Sequence, residues 1–480
     1  MTEQPQPLVS MAERFIAHGS SAETALLWED RRVGFAELVD RADRMLGFLV
    51  QEGVTPGAVV GISIGDEQLH LAVAIALLAH GAPQVCLPGH ETPDSNRSTV
   101  ERLGVSIIVA DRPIPWRGDA RLIRIGPGVS RPAGGFAHAV SPAPEAPAIY
   151  VKTSGSTAAP KLFALSFARL MDGAARCAAD PASRCVMRTS TVEFDSTRLQ
   201  RLFAIIAGRR SAFAPRDTSD LGAVCGRLGV TQAHFGAYAL ASLTRADRPP
   251  GRLPAQTSIL TGGSRVPGPL RAEVAERLTR ELYVSYATSE VGPISTALPD
   301  EHAAFPEGVG RPRADALVEI VDDDGRSLPR GQTGEIRVRR PAAPRAYVGE
   351  PSEQFRDGWF YPRDLVSWPE GGPLIHHGRA DDVMLLNGVK ISGEAIEDAL
   401  CAHPAVREAV AYPIRSRLHG EIPAVAVTLR PSAGEAPGSD ALLAHCRGLL
   451  GMRSARRVVV VDAIPRTATG KPIRRALAEL

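Results

Sequence analysis

Residues 153–161 read Thr-Ser-Gly-Ser-Thr-Ala-Ala-Pro-Lys, which crowds hydroxyl side chains beside one lysine just after the apolar run AIYV. Hydroxyls, backbone N–H groups and an ammonium are the donors a polyphosphate needs. Thr153, Ser154, Gly155, Ser156, Thr157 and Lys161 are therefore candidate phosphate contacts. The stretch is not a Walker loop, because Pro160 stands where Gly-x-x-x-x-Gly-Lys-Ser/Thr requires its second glycine. Taken alone, it equally suits a plain Ser/Thr-rich loop. A second candidate is Asp195, ahead of a helical stretch with apolar residues at Leu199, Leu202, Phe203 and Ile206. A buried carboxylate there needs a cation as partner. The simpler alternative is that Asp195 or Ser196 caps the helix.

These residues need a scaffold, and the apolar pattern describes one. Phe35, Leu38, Val39, Ala42, Met45, Leu46 and Leu49 recur at helical spacing, residues 58–64 (AVVGISI) read as a buried strand, and a second helix covers 67–80. The run PQVCL follows, so strand and helix alternate as in a parallel sheet covered by helices. Residues 126–147, rich in Pro, Gly and Ala, read as a connecting loop. After Gly310 the pattern changes to strand pairs, residues 316–328 and then 334–340, which predict a β-rich subdomain. Past His377 come a helix over 393–403, strands at 407–414 and 424–430, a helix over 440–450 and a strand over 457–464. That is enough for a separate α+β domain. The expected fold class is α/β: a large N-terminal domain of helix-covered sheets with a β-rich subdomain, plus a small C-terminal α+β domain.

Composition removes several classes of function. The 55 Lys and Arg nearly balance 53 Asp and Glu, so no global basic field draws nucleic acid or anionic lipid. The six cysteines lack a Cys-x-x-Cys pair, which argues against a zinc site or a disulfide framework and favours the cytoplasm. No basic-then-apolar leader opens the chain, and the most apolar run, 71–79, is too short to cross a bilayer.

Further segments follow residues 153–161 in a fixed order: TGGS (261–264), YATSE (286–290), VGRP (309–312), GEIRV (334–338), GWFYPRDL (358–365), GRADDVMLLNGVKISGEAIE (378–397) and PRTATGK (465–471). In these motifs the chain resembles the adenylate-forming superfamily of acyl-CoA synthetases, peptide-synthetase adenylation domains and firefly-type luciferases, over nearly its whole length. The resemblance implies that ATP and Mg2+ activate a small carboxylic acid, an amino acid or aryl acid, to an acyl-AMP with release of pyrophosphate. The acyl group would then pass to the thiol of CoA or of phosphopantetheine on a separate carrier protein. Members with a non-thiol acceptor, or a nucleotide-binding homologue with weak turnover, are the alternatives.

Carried over position by position, Tyr286 resembles the ring stacked on adenine, with the Gly262 and Gly263 backbone and Ser264 at its edge. Ser289 matches a donor to the α-phosphate and Glu290 the magnesium ligand. Asp364 resembles the acid that accepts both ribose hydroxyls, and Arg379 is similar to a second ribose or phosphate contact. Lys471 matches the catalytic lysine, a cation placed between two mutually repelling anions, the carboxylate and the α-phosphate. Asp381 matches the hinge between an AMP-binding domain, residues 1–378, and a mobile lid, residues 382–480, whose loop 386–389 would meet the pantetheine arm. Asp195, Leu199, His234, Phe235, Leu260, Ser285 and Ile294 would wall the acyl pocket. Amino-acid-activating members carry Phe-Asp-x-Ser where this chain has Phe-Asp-Ser-Thr, and their aspartate binds the substrate's amino group, so the resemblance implies a substrate ammonium at Asp195, whereas IPRTATGKPIRR is more like the acyl-CoA and aryl-CoA branch. Ala158, Leu162, Ala287 and Pro362-Arg363 depart from the family pattern, mostly at its glycines, where a Cβ opposes a positive φ.

Overall fold

The apolar spacing from Phe35 produces helix Phe35–Gln51, and the seven residues that carried the period are the seven it buries. Such one-sided burial needs a partner. The partner is helix Glu67–His80, apolar on every face and buried along nearly all its length, and such a helix is stable only inside a core. Asp66 starts it by accepting the Leu69 N–H at 2.7 Å, and Gly81, at φ 68°, ends it in the left-handed conformation.

The computed structural model describes residues 11–126, 133–153, 160–245, 250–387, 389–416, 420–430, 436–467 and 470–479. The chain divides into two units, one of residues 1–294 and 339–358, the other of residues 295–338 and 359–480. In the first unit the strands are β1 Thr24–Leu27, β2 Arg32–Gly34, β3 Val60–Ser63, β4 Gln84–Cys86, β5 Ile107–Ala110, β6 Arg121–Arg124, β7 Pro147–Thr153, β8 Lys161–Ser166, β9 Cys185–Arg188, β10 Arg210–Phe213, β11 Gln232–Phe235, β12 Ser258–Gly262 and β13 Leu282–Thr288. One sheet has the order β6-β5-β3-β4-β7-β8, parallel except for the β7–β8 pair. The other runs β13-β12-β11-β9-β10-β1-β2, parallel from β13 to β1, and is continued beyond β13 by strand Gly292–Ala297.

The expected α/β alternation is therefore present, as two sheets. The 126–147 stretch is less plain than a connecting loop: it contains a 3-10 turn, Gly135–His138. The Asp43 carboxylate accepts the N–H groups of Gly134 and Phe136, both at 2.6 Å. A Cβ on Gly135 would meet the Asp43 carbonyl at 2.0 Å, so the turn docks against helix Phe35–Gln51 only because that residue is glycine.

In the second unit, strand Asp364–Ser367 pairs antiparallel with Thr333–Arg339 on one side and Ile375–Arg379 on the other. Further on, Val406–Ser416 and Gly420–Leu429 form a long antiparallel pair, with Arg457–Val460 parallel to the latter. Helices Gly393–Cys401 and Ser439–Leu450 cover it, and Ile396, Leu400, Val425, Val427 and Leu442 share its core. Among the described residues the cysteines are free, no helix is long and apolar enough to cross a membrane, and no group of three His, Cys, Asp or Glu gathers around a metal position.

Candidate active site

Parallel strands of an open α/β sheet leave a crevice at their carboxyl ends, where ligands bind. In the second sheet of the first unit that edge is built from expected pocket residues. His234 on β11 stands in register with Arg188 on β9 and with Leu260 on β12, and Gly262 on β12 with Ser285 on β13. Phe235 and Ile294 are buried beside them. The imidazole of His234 is fixed on both sides: Arg188 Nη1 donates to Nδ1 at 2.7 Å, and Nε2 donates to Gln232 Oε1 at 2.6 Å. Desolvation, with Arg188 and Arg201 nearby, holds its pKa well below the ordinary histidine value, so the ring is neutral.

The glycine pair is required by geometry. A Cβ on Gly262 would lie 2.4 Å from the Ser285 carbonyl, and Gly263 has φ 79°. Tyr286 is 9% exposed one residue beyond Ser285. The chain then turns through Ser289, which is exposed, and Glu290, which is buried. Arg169 Nη2 and Arg340 Nη1 both donate to the Val291 carbonyl, at 2.7 and 2.8 Å, clamping this turn. Desolvation and two neighbouring guanidiniums draw Arg169 down to about 10. The Tyr347 hydroxyl donates to Glu290 Oε1 at 2.8 Å, which orients the carboxylate and leaves Oε2 without a described protein partner. A hard carboxylate oxygen of this kind suits Mg2+, which takes one or two carboxylates and fills its remaining positions with phosphate and water.

Residues 154–159 lie outside the described residues, so the expected contacts at Ser154, Gly155, Ser156 and Thr157 are not placed, nor is the departure at Ala158. Thr153 and Lys161 flank them as opposed residues of β7 and β8. Lys161 Nζ donates to Gln354 Oε1 at 2.6 Å and lies 5.0 Å from the Tyr347 ring centroid. Lys161 and Glu290 thus share Tyr347 as a neighbour. Leu162 is buried in β8, and Ala287 lies in β13 without a positive φ, so neither departure strains the backbone.

Helix Asp195–Ile206 begins at Asp195, its N-cap position is Phe194, and no side chain caps it. The expected cap by Asp195 or Ser196 is thus absent, because the Asp195 carboxylate is engaged elsewhere. Its Oδ1 accepts from Arg198 Nη2 at 2.6 Å and its Oδ2 from the Lys152 N–H at 2.9 Å. The cation it needs comes from the chain itself. Leu199 is half-buried against the core, while Leu202, Ile205 and Ile206 lie within it.

In the second unit, Asp364 and Arg379 are cross-strand partners 3.7 Å apart. Arg379 Nη2 also donates to Asp381 at 3.1 Å, and Asp381 lies 3.4 Å from Arg363 Nε. Arg363 has φ 68°, the left-handed conformation that a glycine would adopt without strain, and is tied by Asp381 and by Glu335 at 3.3 Å. Lys471 is exposed at the end of a tight turn: Thr467 N–H donates to the Lys471 carbonyl at 2.8 Å, Gly470 N–H to the Thr467 carbonyl at 2.9 Å, and Gly470 has φ 82°.

A family model for AMP-binding enzymes matches residues 14–348, and one for the AMP-binding enzyme C-terminal domain matches residues 395–471. The chain belongs to the AMP-binding, adenylate-forming enzymes. Phosphinothricin tripeptide synthetase PhsC of Streptomyces viridochromogenes is 26% identical over 95% of this chain, which spans only 44% of that relative. Salicyl-AMP ligase / salicyl-S-ArCP synthetase of Mycobacterium tuberculosis is 27% identical over 93% of this chain and 85% of its own length. The solved o-succinylbenzoate CoA synthetase MenE of Bacillus subtilis, in complex with an acyl-adenylate, shares the fold, with a TM-score of 0.85 at 23% identity over 97% of both chains. Four residues of this AMP-binding enzyme were not anticipated from sequence: Arg169, Arg340, Tyr347 and Gln354. They surround Glu290 and Lys161 from distant positions in the chain, and no local motif marks them.

Proposed function

We propose that this adenylate-forming ligase activates a small carboxylic acid with ATP and passes the acyl group to a thiol, that of CoA or of a carrier-protein phosphopantetheine. In the first step a carboxylate oxygen bonds to the α-phosphorus, the α–β phosphoanhydride bond breaks, and pyrophosphate leaves with its electron pair. In the second the thiol sulfur bonds to the acyl carbon, AMP leaves, and the thiol proton is released. The observation that carries this reading is the clamped turn of Glu290, at the end of the strand that holds Tyr286 and pairs with Gly262.

Each assigned residue has a physical task. Tyr286 stacks on adenine, Gly262 and Gly263 admit its edge, and Ser264 borders it. Thr153, Ser154, Gly155, Ser156, Thr157 and Lys161 take the β- and γ-phosphates, and Ser289 donates to the α-phosphate. Glu290 would hold Mg2+, which supplies positive charge against the polyphosphate. Asp364 accepts from the ribose hydroxyls and Arg379 steadies that carboxylate. Lys471 neutralises the two anions as they meet. Residues 382–480 act as a lid that turns at Asp381, so that adenylation and thiol transfer use different arrangements. Asp195 borders the acid pocket, but its ion pair with Arg198 removes the reason to seek a substrate ammonium there.

A pyrophosphate-exchange screen over amino, aryl and short aliphatic acids tests the first step. Exchange that depends on one acid class is expected. A protein that binds ATP yet shows no acid-dependent exchange is not a ligase. Mass detection of the thioester with CoA or a loaded carrier tests the second step, and release of the acid to an amine instead would replace the thiol with a nitrogen acceptor.

A further inference from the structure

The strand-end row of the acid pocket contains a cation without an anion. Arg188 closes β9, and its described partners are both neutral: Nη1 donates to His234 Nδ1 at 2.7 Å and Nε to Thr197 Oγ1 at 3.3 Å. Nη2 makes no described hydrogen bond. The nearby carboxylates are occupied. Asp195 is paired with Arg198 at 2.6 Å, and Glu67 lies 3.7 Å from Arg201 while accepting the Val192 N–H at 3.1 Å. Three guanidiniums, Arg188, Arg198 and Arg201, thus face two carboxylates, leaving one positive charge over.

That surplus sits in the interior. Arg198 and Arg201 are buried and keep further guanidinium N–H groups without hydrogen-bond partners. Arg188 is half-buried, yet desolvation draws it down to about 9. Arg188 thus combines a strong desolvation with some accessible surface. An interior charge is strongly unfavourable unless a counter-ion completes it. Arg188 stands in register beside His234, and His234 beside Leu260, the residues expected to wall the acid pocket, on the ligand-binding edge of the sheet.

We propose that Arg188 selects the substrate by binding a second anionic group on it, so that the acid activated is a dianion of the short dicarboxylate class. This rests on the adenylation reading given above. One carboxylate of the substrate reacts with ATP, and the other takes the Nη2 side of Arg188. His234 positions the guanidinium: with Nε2–H committed to Gln232, its Nδ1 can only accept.

The test sets malonate, succinate, glutarate and phthalate each against its monomethyl ester, in acid-dependent pyrophosphate exchange and in calorimetric titration of the ATP-free protein. At least one diacid should exceed its half-ester. Arg188→Met should raise that diacid's KM by roughly 10- to 100-fold, as for loss of a charged hydrogen bond, with a smaller effect on kcat. The KM for ATP should change little, and the half-ester should lose much less than the diacid does. Arg188→Lys, which keeps the charge, should retain the preference and guards against a misfolded Met variant. Turnover of neutral monoacids with no diacid preference, or an equal loss for every acid in Arg188→Met, overturns the proposal. If no acid supports exchange, the adenylation reading fails, and calorimetry still decides on Arg188: Arg188-dependent diacid binding sustains the site, and its absence ends it.

Discussion

Lys471 and Arg363 show two ways in which a single residue can matter. One unit charge at about 4 Å and an effective dielectric near 20 is worth roughly 4 kcal/mol. Lys471→Ala should therefore lower pyrophosphate exchange by roughly two to three orders of magnitude, while equilibrium dialysis shows ATP still bound. Near-normal exchange would remove Lys471 from the reaction. Arg363 sits at φ 68° at a position where the resemblance implied a glycine. The family likeness exposed that anomaly, but not its compensation by Glu335 and Asp381, which are remote in sequence. Both Arg363→Gly and Arg363→Ala lose these exposed ion pairs, and only glycine relieves the backbone. The Gly variant should be more stable than the Ala variant by about 1 kcal/mol in denaturant unfolding. Equal stabilities would mean the left-handed conformation carries no strain. Asp195 was the residue sequence served least well: its motif suggested an ammonium or a cap, and Arg198, three residues on, takes the carboxylate instead.

The elements themselves were legible wherever one period ran unbroken. Helix Glu67–His80 has the expected ends because Asp66 and Gly81 are unambiguous start and stop residues, and Gly393–Cys401 falls within the expected 393–403. Contacts between elements were not legible. Glu397 on helix Gly393–Cys401 accepts from Arg474 at 3.1 Å and from the Ala411 N–H at 2.9 Å, yet burial pushes its pKa up to about 7. Desolvation outweighs the ion pair, so the folded state favours the protonated acid. A pKa raised from 4.5 gives stability that is fully present below pH 4.5 and lost as the pH rises through about 7. The loss is about 3 kcal/mol at most. Glu397→Gln keeps an acceptor and cannot titrate. The stability of the wild type minus that of the variant should fall from pH 4.5 to about 7 and level off above it, read by chemical unfolding at each pH. A flat difference would mean that the pair stays ionised without penalty.

For the whole molecule, sequence implied a large α/β body and a small α+β lid, and a lid is useful only if it moves. Asp381 stands where that movement would turn, half-exposed in a 3-10 turn, bound to Arg379 on one side and Arg363 on the other. Both pairs are partly exposed, so each is worth less than about 1 kcal/mol, and a change of arrangement can break them. A lid that turned at Asp381 would bring Lys471 and then residues 386–389 to one substrate in turn. Asp381→Pro narrows the backbone at this point and replaces no residue assigned to ATP or the acid, at the cost of the exposed Asp381–Arg379 contact. It should leave pyrophosphate exchange within about threefold of wild type and lower single-turnover thioester formation by roughly tenfold or more, because only the second step needs the new arrangement. Parallel loss of both activities would show that Asp381 supports the fold and not the turn, and undiminished transfer would place the hinge at another residue.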